Sequence, residues 1–375
     1  MKPVAMLYCQ HSLGLGHFVR SLTLAEALAD DFDVIFINGG PVPDGFVLPE
    51  TIHFIHLPPL RLGEDGSISG AGNTETLLHA RRDIMCAAAR TARPALLLVE
   101  LYPFGRKKFA AEIDPLIDIV RGEGGKIACS VRDILVTERV DQTRHDERAA
   151  IKLNACFDAV IVHADARLFD LSDTFRATTP VTIPILYSGY VTRAGARQNG
   201  IRPDSMTLVA AGGGAVGHGV YLAALAAQPQ LMAKRGWAMT VVAGPLFPEE
   251  DWDGLVTAAQ RVDGLKLIRS LPSLQPLLFE SGRFVGQCGY NSALELLQAG
   301  LPSLFIPFAR GQESEQTARA QKLKDLGLAD WMPEKGLTGA ALAKRLLALD
   351  APSVTHTLDL DGAHKSTIIL RRLVA

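Results

Sequence analysis

The chain is short of several things that would have defined a function class. Its five cysteines, Cys9, Cys86, Cys129, Cys156 and Cys288, form no CxxC pair, so neither a zinc site nor a disulfide framework is indicated. Lys and Arg number 38 against 40 Asp and Glu, which leaves a net charge of −2 and no global basic field for nucleic acid. No apolar run is long enough to span a bilayer. MKPVAMLYC reads as a strand and not as a signal peptide, so a cytoplasmic protein is expected. The DxD spacings at Asp31 and Asp33, Asp251 and Asp253, and Asp359 and Asp361 do not directly follow strands. None of them is an acidic pair placed at a strand end to hold a cation, and no metal site is expected.

What is present is an α/β alternation over 375 residues, enough for two domains with sizeable cores. Apolar runs at 3–9, 33–37, 95–99, 125–129, 158–163 and 182–186 alternate with helical stretches at 18–29, 73–92 and 106–122. A second series follows, with strands near 206–211, 238–243, 265–268, 283–286 and 303–306. Such alternation implies parallel sheets covered on both faces. The expected layout is a Rossmann-like domain over 1–188, a Gly-containing linker over 189–204, a second Rossmann-like domain over 205–355, and a final segment, 356–375. Two doubly wound domains facing across a cleft is the architecture this predicts.

The most restrictive segment is QCGYNSALELLQAGLPSLFIPF, Gln287 to Phe308, followed by Glu315 and Gln316. RFVG at 283–286 reads as a strand end, and Asn291 or Ser292 as the cap of a helix from about Ala293 to Gln298 that Gly300 and Pro302 stop. A helix start at a parallel strand end is an anion site, and Gly289 has no side chain to hold a phosphate away. Glu295 lies at i+3 and i+4 from Ser292 and Asn291, about 5 Å along the axis, where a nucleotide's ribose hydroxyls would fall. The plainer alternative is a structural cap with Glu295 in solvent.

This segment resembles the donor motif of GT-B-fold glycosyltransferases, both the MurG N-acetylglucosaminyltransferase group (family 28) and the UDP-glucosyl and glucuronosyltransferases. The resemblance rests on Gly289, Asn291, Ser292, Glu295, Gly300, Pro302, Pro307, Glu315 and Gln316. It implies an acceptor-binding domain over 1–188, a nucleotide-sugar-binding domain over 205–355 and a last helix, within 356–375, that crosses back to the first domain; it also implies that Glu295 holds the ribose, that Gln316 with Glu315 meets the sugar hydroxyls, and that the backbone of Leu271 meets the uracil. Gln287 departs from the pattern, standing where many UDP-glycosyltransferases have a His that contacts the diphosphate. AAGGGAVGHG, 210–219, is similar to the glycine loop that approaches the diphosphate, through Gly213 and Gly214; its His218 is a phosphate contact or an exposed loop residue.

In the first domain Gly14 and Gly16 open a helix near His17. A dinucleotide fingerprint would add a third glycine, where Val19 stands, and an acid after the second strand, which instead ends in Asn38, Gly39 and Gly40. The GLGH loop does match the acceptor-side loop of the GT-B families. His17 is the candidate general base and Glu100, ending ALLLVE, its partner or itself the base. Arg132 and Asp133 form a second tier, or a structural ion pair. Tyr102, Phe104 and Phe109 among Arg106, Lys107 and Lys108 offer a face for an acceptor or for an anionic membrane, which would make the protein peripheral on its inner face; the alternative is a solvated basic helix start.

The reading implied is metal-independent, inverting transfer of a hexose or N-acetylhexosamine from a UDP-sugar to a hydroxyl acceptor, lipid-linked or glycan, with the UDP-sugar as co-substrate and no cofactor. The alternatives are a UDP-sugar 2-epimerase of the same fold and a non-catalytic nucleotide-sugar-binding protein.

Overall fold

The computed structural model describes every residue except 1, 12–15, 43–46, 63–66, 138, 193–204, 215, 310–313 and 353–357. The chain forms two compact units, Met1–Arg193 with Leu358–Ala375, and Ala194–Thr357.

In the first unit, β1 (Val4–Cys9) leads into α1 (Gly16–Leu28), and β2 (Asp33–Asn38) and β3 (His53–His56) follow. A small hairpin, β4 (Leu60–Leu62) with β5 (Ile68–Gly70), precedes α2 (Thr74–Ala92). Then come β6 (Leu96–Glu100), α3 (Ala110–Gly122), β7 (Lys126–Arg132), α4 (Gln142–Cys156), β8 (Ala159–His163) and β9 (Ile185–Tyr187). The seven-stranded sheet runs β3-β2-β1-β6-β7-β8-β9, and every pairing in it is parallel. β6 and β8 are buried along their whole length, which is why they read as unbroken apolar runs and not as alternating ones.

The second unit contains β10 (Met206–Ala210), α5 (His218–Arg235), β11 (Ala238–Val242), α6 (Glu249–Ala259), β12 (Leu265–Ile268) and α7 (Gln275–Glu280). It continues with β13 (Arg283–Gly286), α8 (Tyr290–Ala299), β14 (Ser303–Phe305), α9 (Glu315–Asp325), β15 (Asp330–Trp331) and α10 (Gly339–Leu347). Its six-stranded sheet, β12-β11-β10-β13-β14-β15, is again parallel throughout. The last helix, α11 (Gly362–Val374), belongs to the first unit, where Leu370 joins the core built on α1, β1 and β6.

The end of the first sheet and the start of the last segment are stitched together. Tyr190 N–H donates to Asp359 O at 2.7 Å and Gly362 N–H to Tyr190 O at 2.9 Å. Gly189 through Thr192 are thereby part of the first unit, while 193–204, the rest of the stretch read as a linker, lies outside the described residues.

In each sheet the chain order reverses beside the first strand. β1 lies between β2 and β6, and β10 between β11 and β13. At such a switch point the loops after two neighbouring strands leave in opposite directions and open a crevice at their carboxyl ends. Both candidate sites fall there.

Candidate functional site

His17 is the second residue of α1, and Glu100 is the last residue of β6, the neighbour of β1. The fold therefore aims both side chains at one point. His17 Nδ1 lies 2.5 Å from Glu100 Oε1, and Arg20, one helical turn on and so on the same face, reaches the same oxygen with Nη2 at 2.6 Å. Arg106 Nη2 is 3.5 Å from Glu100 Oε2. Glu100 is fully buried, which removes the reading of a solvated strand end. Gly16 is the first residue of α1, and Gly14 lies outside the described residues.

Burial alone would raise the Glu100 carboxyl; His17, Arg106 and Arg20 outweigh it and hold the group below the usual carboxylate range. An ionised carboxylate can only accept, so His17 Nδ1 carries the hydrogen and Nε2 keeps its lone pair. Burial, with Arg106 and Arg132 adding to it against Glu100, pushes the imidazole down to about 3. The side chain still keeps 18% of its surface. The arrangement is an imidazole whose Nδ1 faces a buried acid, which fixes one tautomer of the neutral ring.

The loop that follows β6 holds two residues in the left-handed region without being glycine, Leu101 at φ 62° and Arg106 at φ 59°. Each costs on the order of 1–3 kcal/mol, and the second turns Arg106 back onto the strand end. The reading of this loop as an aromatic face for a membrane or acceptor is corrected. Tyr102, Phe104 and Phe109 are buried; Tyr102 donates to Asp114 at 2.6 Å and Phe104 packs edge-on against Phe175. Their rings fill the core because the loop is folded inward to deliver Arg106.

Behind this point is a second buried polar knot that nothing in the sequence announced. Arg81 of α2 donates through Nε and Nη2 to Glu112 of α3 at 2.7 Å each, through Nη2 to Gln10 at 2.6 Å, and through Nη1 to the carbonyls of Gly39 and Pro58. Tyr8 donates to Glu112 at 2.7 Å. The knot fixes the start of the loop from β1 to α1. A third set, Ser130 Oγ–His163 Nε2 at 2.7 Å and His163 Nδ1–Ser188 Oγ at 2.9 Å, continues the polar row along the strand ends. Of the second-tier pair, Asp133 is buried and accepts from Ile134 N–H at 2.9 Å, and Arg132 adds to the field on His17.

In the second unit α8 starts earlier than Asn291 or Ser292, and the reading of either as cap is corrected. Gly289 is the cap, extended at φ −65° and ψ 157°, and its carbonyl takes the N–H of Ala293 at 2.9 Å. Tyr290 is the first helical residue because its ring is an anchor, buried with the Arg319 guanidinium over it. Among the described residues, a Cβ on Gly289 would meet nothing within 4 Å. As at any helix start, the first N–H groups of α8 point out of the helix end, where the positive end of its dipole lies. Asn291, Ser292 and Glu295 are half-buried, with Glu295 in the second turn, ~9 Å along the axis from Gly289.

The glycine run after β10 packs against the loop after β11. Gly214, at φ 92°, has a Cβ position 2.1 Å from Ala243 O, and its N–H donates to Ala211 O at 3.0 Å. That N–H is spent inside the loop, and the missing side chain makes room for the loop after β11. Gly213 accepts from Leu246 N–H at 2.8 Å. Gln287 is buried and donates to Val216 O at 3.2 Å, tying this loop to the end of β13. Gln316 Oε1 accepts from Phe308 N–H at 3.1 Å, Glu315 is buried 3.8 Å from Arg319, and Leu271 is 36% exposed. His218 pairs with Asp251 at 3.1 Å.

Among the described residues no group of His, Cys, Asp and Glu could hold a metal ion, and no helix is long and apolar enough to cross a membrane.

Two parallel α/β units with sites at both switch points define the GT-B class, and known proteins agree. Residues 266–362 match the glycosyltransferase family 28 C-terminal domain. The chain is 26% identical over 257 residues to the UDP-N-acetylglucosamine–N-acetylmuramyl-(pentapeptide) pyrophosphoryl-undecaprenol N-acetylglucosamine transferase of Leuconostoc mesenteroides, covering 65% of this chain and 67% of that one. Among solved structures, MurG of Acinetobacter baumannii superposes with a TM-score of 0.61 at 14% identity, covering 99% of this chain and 100% of that one. A UDP-glucosyltransferase from Polygonum tinctorium does so with a TM-score of 0.62 at 18% identity, covering 100% and 99%. The chain is a glycosyltransferase of GT-B fold. More narrowly, it is MurG-like and carries the family 28 domain in its second half.

Proposed function

We propose that the protein transfers a hexose or N-acetylhexosamine from a UDP-sugar to a hydroxyl acceptor by inverting displacement without a metal. The observation that carries this is the 2.5 Å contact between His17 Nδ1 and Glu100 in a site that leaves Nε2 as an acceptor. Nε2 removes the acceptor's proton as its oxygen attacks the anomeric carbon from the face opposite the diphosphate, and Glu100 stabilises the imidazolium that forms. The departing diphosphate gathers charge, which the positive dipole end of α8 at its Gly289 cap offsets. Glu295 takes the ribose hydroxyls, and Glu315 with Gln316 the sugar. The relatives' names support a UDP-sugar donor, N-acetylglucosamine in the MurG-type relative and glucose in the plant neighbour. The same MurG-type relative supports a lipid-linked acceptor, and with it peripheral attachment to the cytoplasmic face of a membrane.

Slow hydrolysis of UDP-N-acetylglucosamine or UDP-glucose, followed by NMR in EDTA, tests the reading without knowing the acceptor. The expected first product is the β-anomer of the free sugar together with UDP. The α-anomer would rule out inversion, loss of all turnover in EDTA would rule out metal independence, and a 2-epimer would mark the molecule as an epimerase.

A further inference from the structure

Glu100 is gripped at both oxygens. Arg20 Nη2 sits 2.6 Å from Oε1, sharing that atom with His17, and Arg106 Nη2 sits 3.5 Å from Oε2. We propose that Arg106 and Arg20 are positioning residues that set the working protonation state of the His17–Glu100 pair. This rests on the reading of His17 as the base.

A lone buried carboxylate beside an imidazole would draw a proton onto the ring, and the ring would then have no lone pair to offer. Guanidinium groups do not lose their charge, so two of them on the carboxylate cancel that pull permanently. Arg20 comes from α1 and is itself buried, which fixes Oε1 toward Nδ1. Arg106 comes from the loop after β6, held there by its left-handed backbone, and its side chain is 11% exposed. Its longer contact leaves its charge less consumed by Glu100, and its field reaches the imidazole.

The other groups facing the pair do not undo this. Cys9, at the end of β1, is pushed up to about 12 by burial and by Glu100, so it stays a thiol. His11, in the loop after β1, is pushed down to about 4, and His163, at the end of β8, to about 3, burial leading in both, so both are neutral at working pH. Arg132, at the end of β7, adds to the positive side.

The test is the titration of the His17 imidazole by NMR, its signal identified by loss in His17→Asn, in the wild-type chain and in Arg106→Gln, Arg20→Gln and Arg106→Lys. In the wild type His17 stays unprotonated well below its ordinary value near 6.5. In Arg106→Gln its midpoint rises by about one pH unit or more, and Arg106→Lys restores it. The acid limb of kcat/KM for UDP release moves up by the same amount, a loss of about tenfold per unit at pH values below both midpoints, with the donor KM unchanged. A purely structural role would lower activity equally at every pH. An unchanged His17 midpoint in both Gln variants overturns the proposal, and should Arg106→Gln fail to fold, Arg20→Gln decides alone. If His17→Asn releases UDP at the wild-type rate, the assignment of the base fails while the titration still decides the clamp.

Discussion

Replacing Glu100 by Gln changes one oxygen to an NH2 and removes one charge at the centre of the first-unit site. The structure lets its consequences be separated. Glu100 Oε1 accepts from both His17 and Arg20, and Oε2 faces Arg106. With the amide oxygen in the Oε1 position, Arg20 and Nδ1–H are both satisfied and the NH2 faces the Arg106 guanidinium; with the amide flipped, the NH2 faces both Arg20 and Nδ1. If it donates to Nδ1, the ring hydrogen is driven to Nε2, and the base has lost its lone pair. Losing the orienting acid of a histidine pair costs on the order of 10²–10⁴-fold in turnover. The fold is affected separately, because two guanidiniums are left in a buried site without their counter-charge, about 3–5 kcal/mol. UDP release from UDP-N-acetylglucosamine, measured at 20 °C on protein shown folded by near-UV circular dichroism, isolates the first effect, and urea unfolding the second. A folded Glu100→Gln variant within twofold of the wild-type rate would refute the role given to the acid. Loss in Glu100→Gln with full activity in His17→Ala would make Glu100 itself the base.

The other predictions are independent of the acceptor. Gly214→Ala puts a Cβ onto Ala243 O at a positive φ and is expected to lower stability by more than 2 kcal/mol in urea unfolding, whereas Gly289→Ala enters open space, folds normally and weakens UDP binding measured by calorimetry. Arg81→Met strips Glu112 and the Gln10 side-chain oxygen of their guanidinium partner and should cost about 3–5 kcal/mol, read from the same urea curves. His11, His17 and His163 have folded values lowered to about 4, 3 and 3. The unfolded chain therefore takes up their protons first, and stability falls as pH drops from about 6.5 toward 4, by up to about 1.4 kcal/mol per pH unit for each group; a Tm that rises or stays level between pH 6.5 and 4.5 would contradict this burial.

Much of the architecture was legible because parallel sheets write themselves as apolar runs. β6, β8 and β13 are buried on both faces, and their runs stand out from the helices around them. Short or half-exposed strands did not show: β3 reads HFIH with both histidines outward, and β15 is two residues long. His17 and Glu100 could be paired from sequence because each ends or follows a strand at the switch point, and Arg20 carried a usable signal, lying one turn after His17. Arg106 did not, since only its left-handed backbone brings it to Glu100. Arg81 and Glu112 are on different helices and meet through tertiary packing alone. The cap of α8 was misplaced because polar Asn291 and Ser292 look like caps, while the true start is set by the burial of Tyr290 and the extended Gly289.

The assignment of Glu295 to donor binding and of His17 to catalysis is tested together by measuring UDP affinity and UDP release in His17→Ala and Glu295→Ala. The account predicts that Glu295→Ala loses affinity at least tenfold, the scale of a charged hydrogen bond, and that His17→Ala binds UDP as the wild type does but releases none from the UDP-sugar. Equal loss of binding in both variants, or no binding of UDP or any UDP-sugar by the wild-type chain, would contradict it.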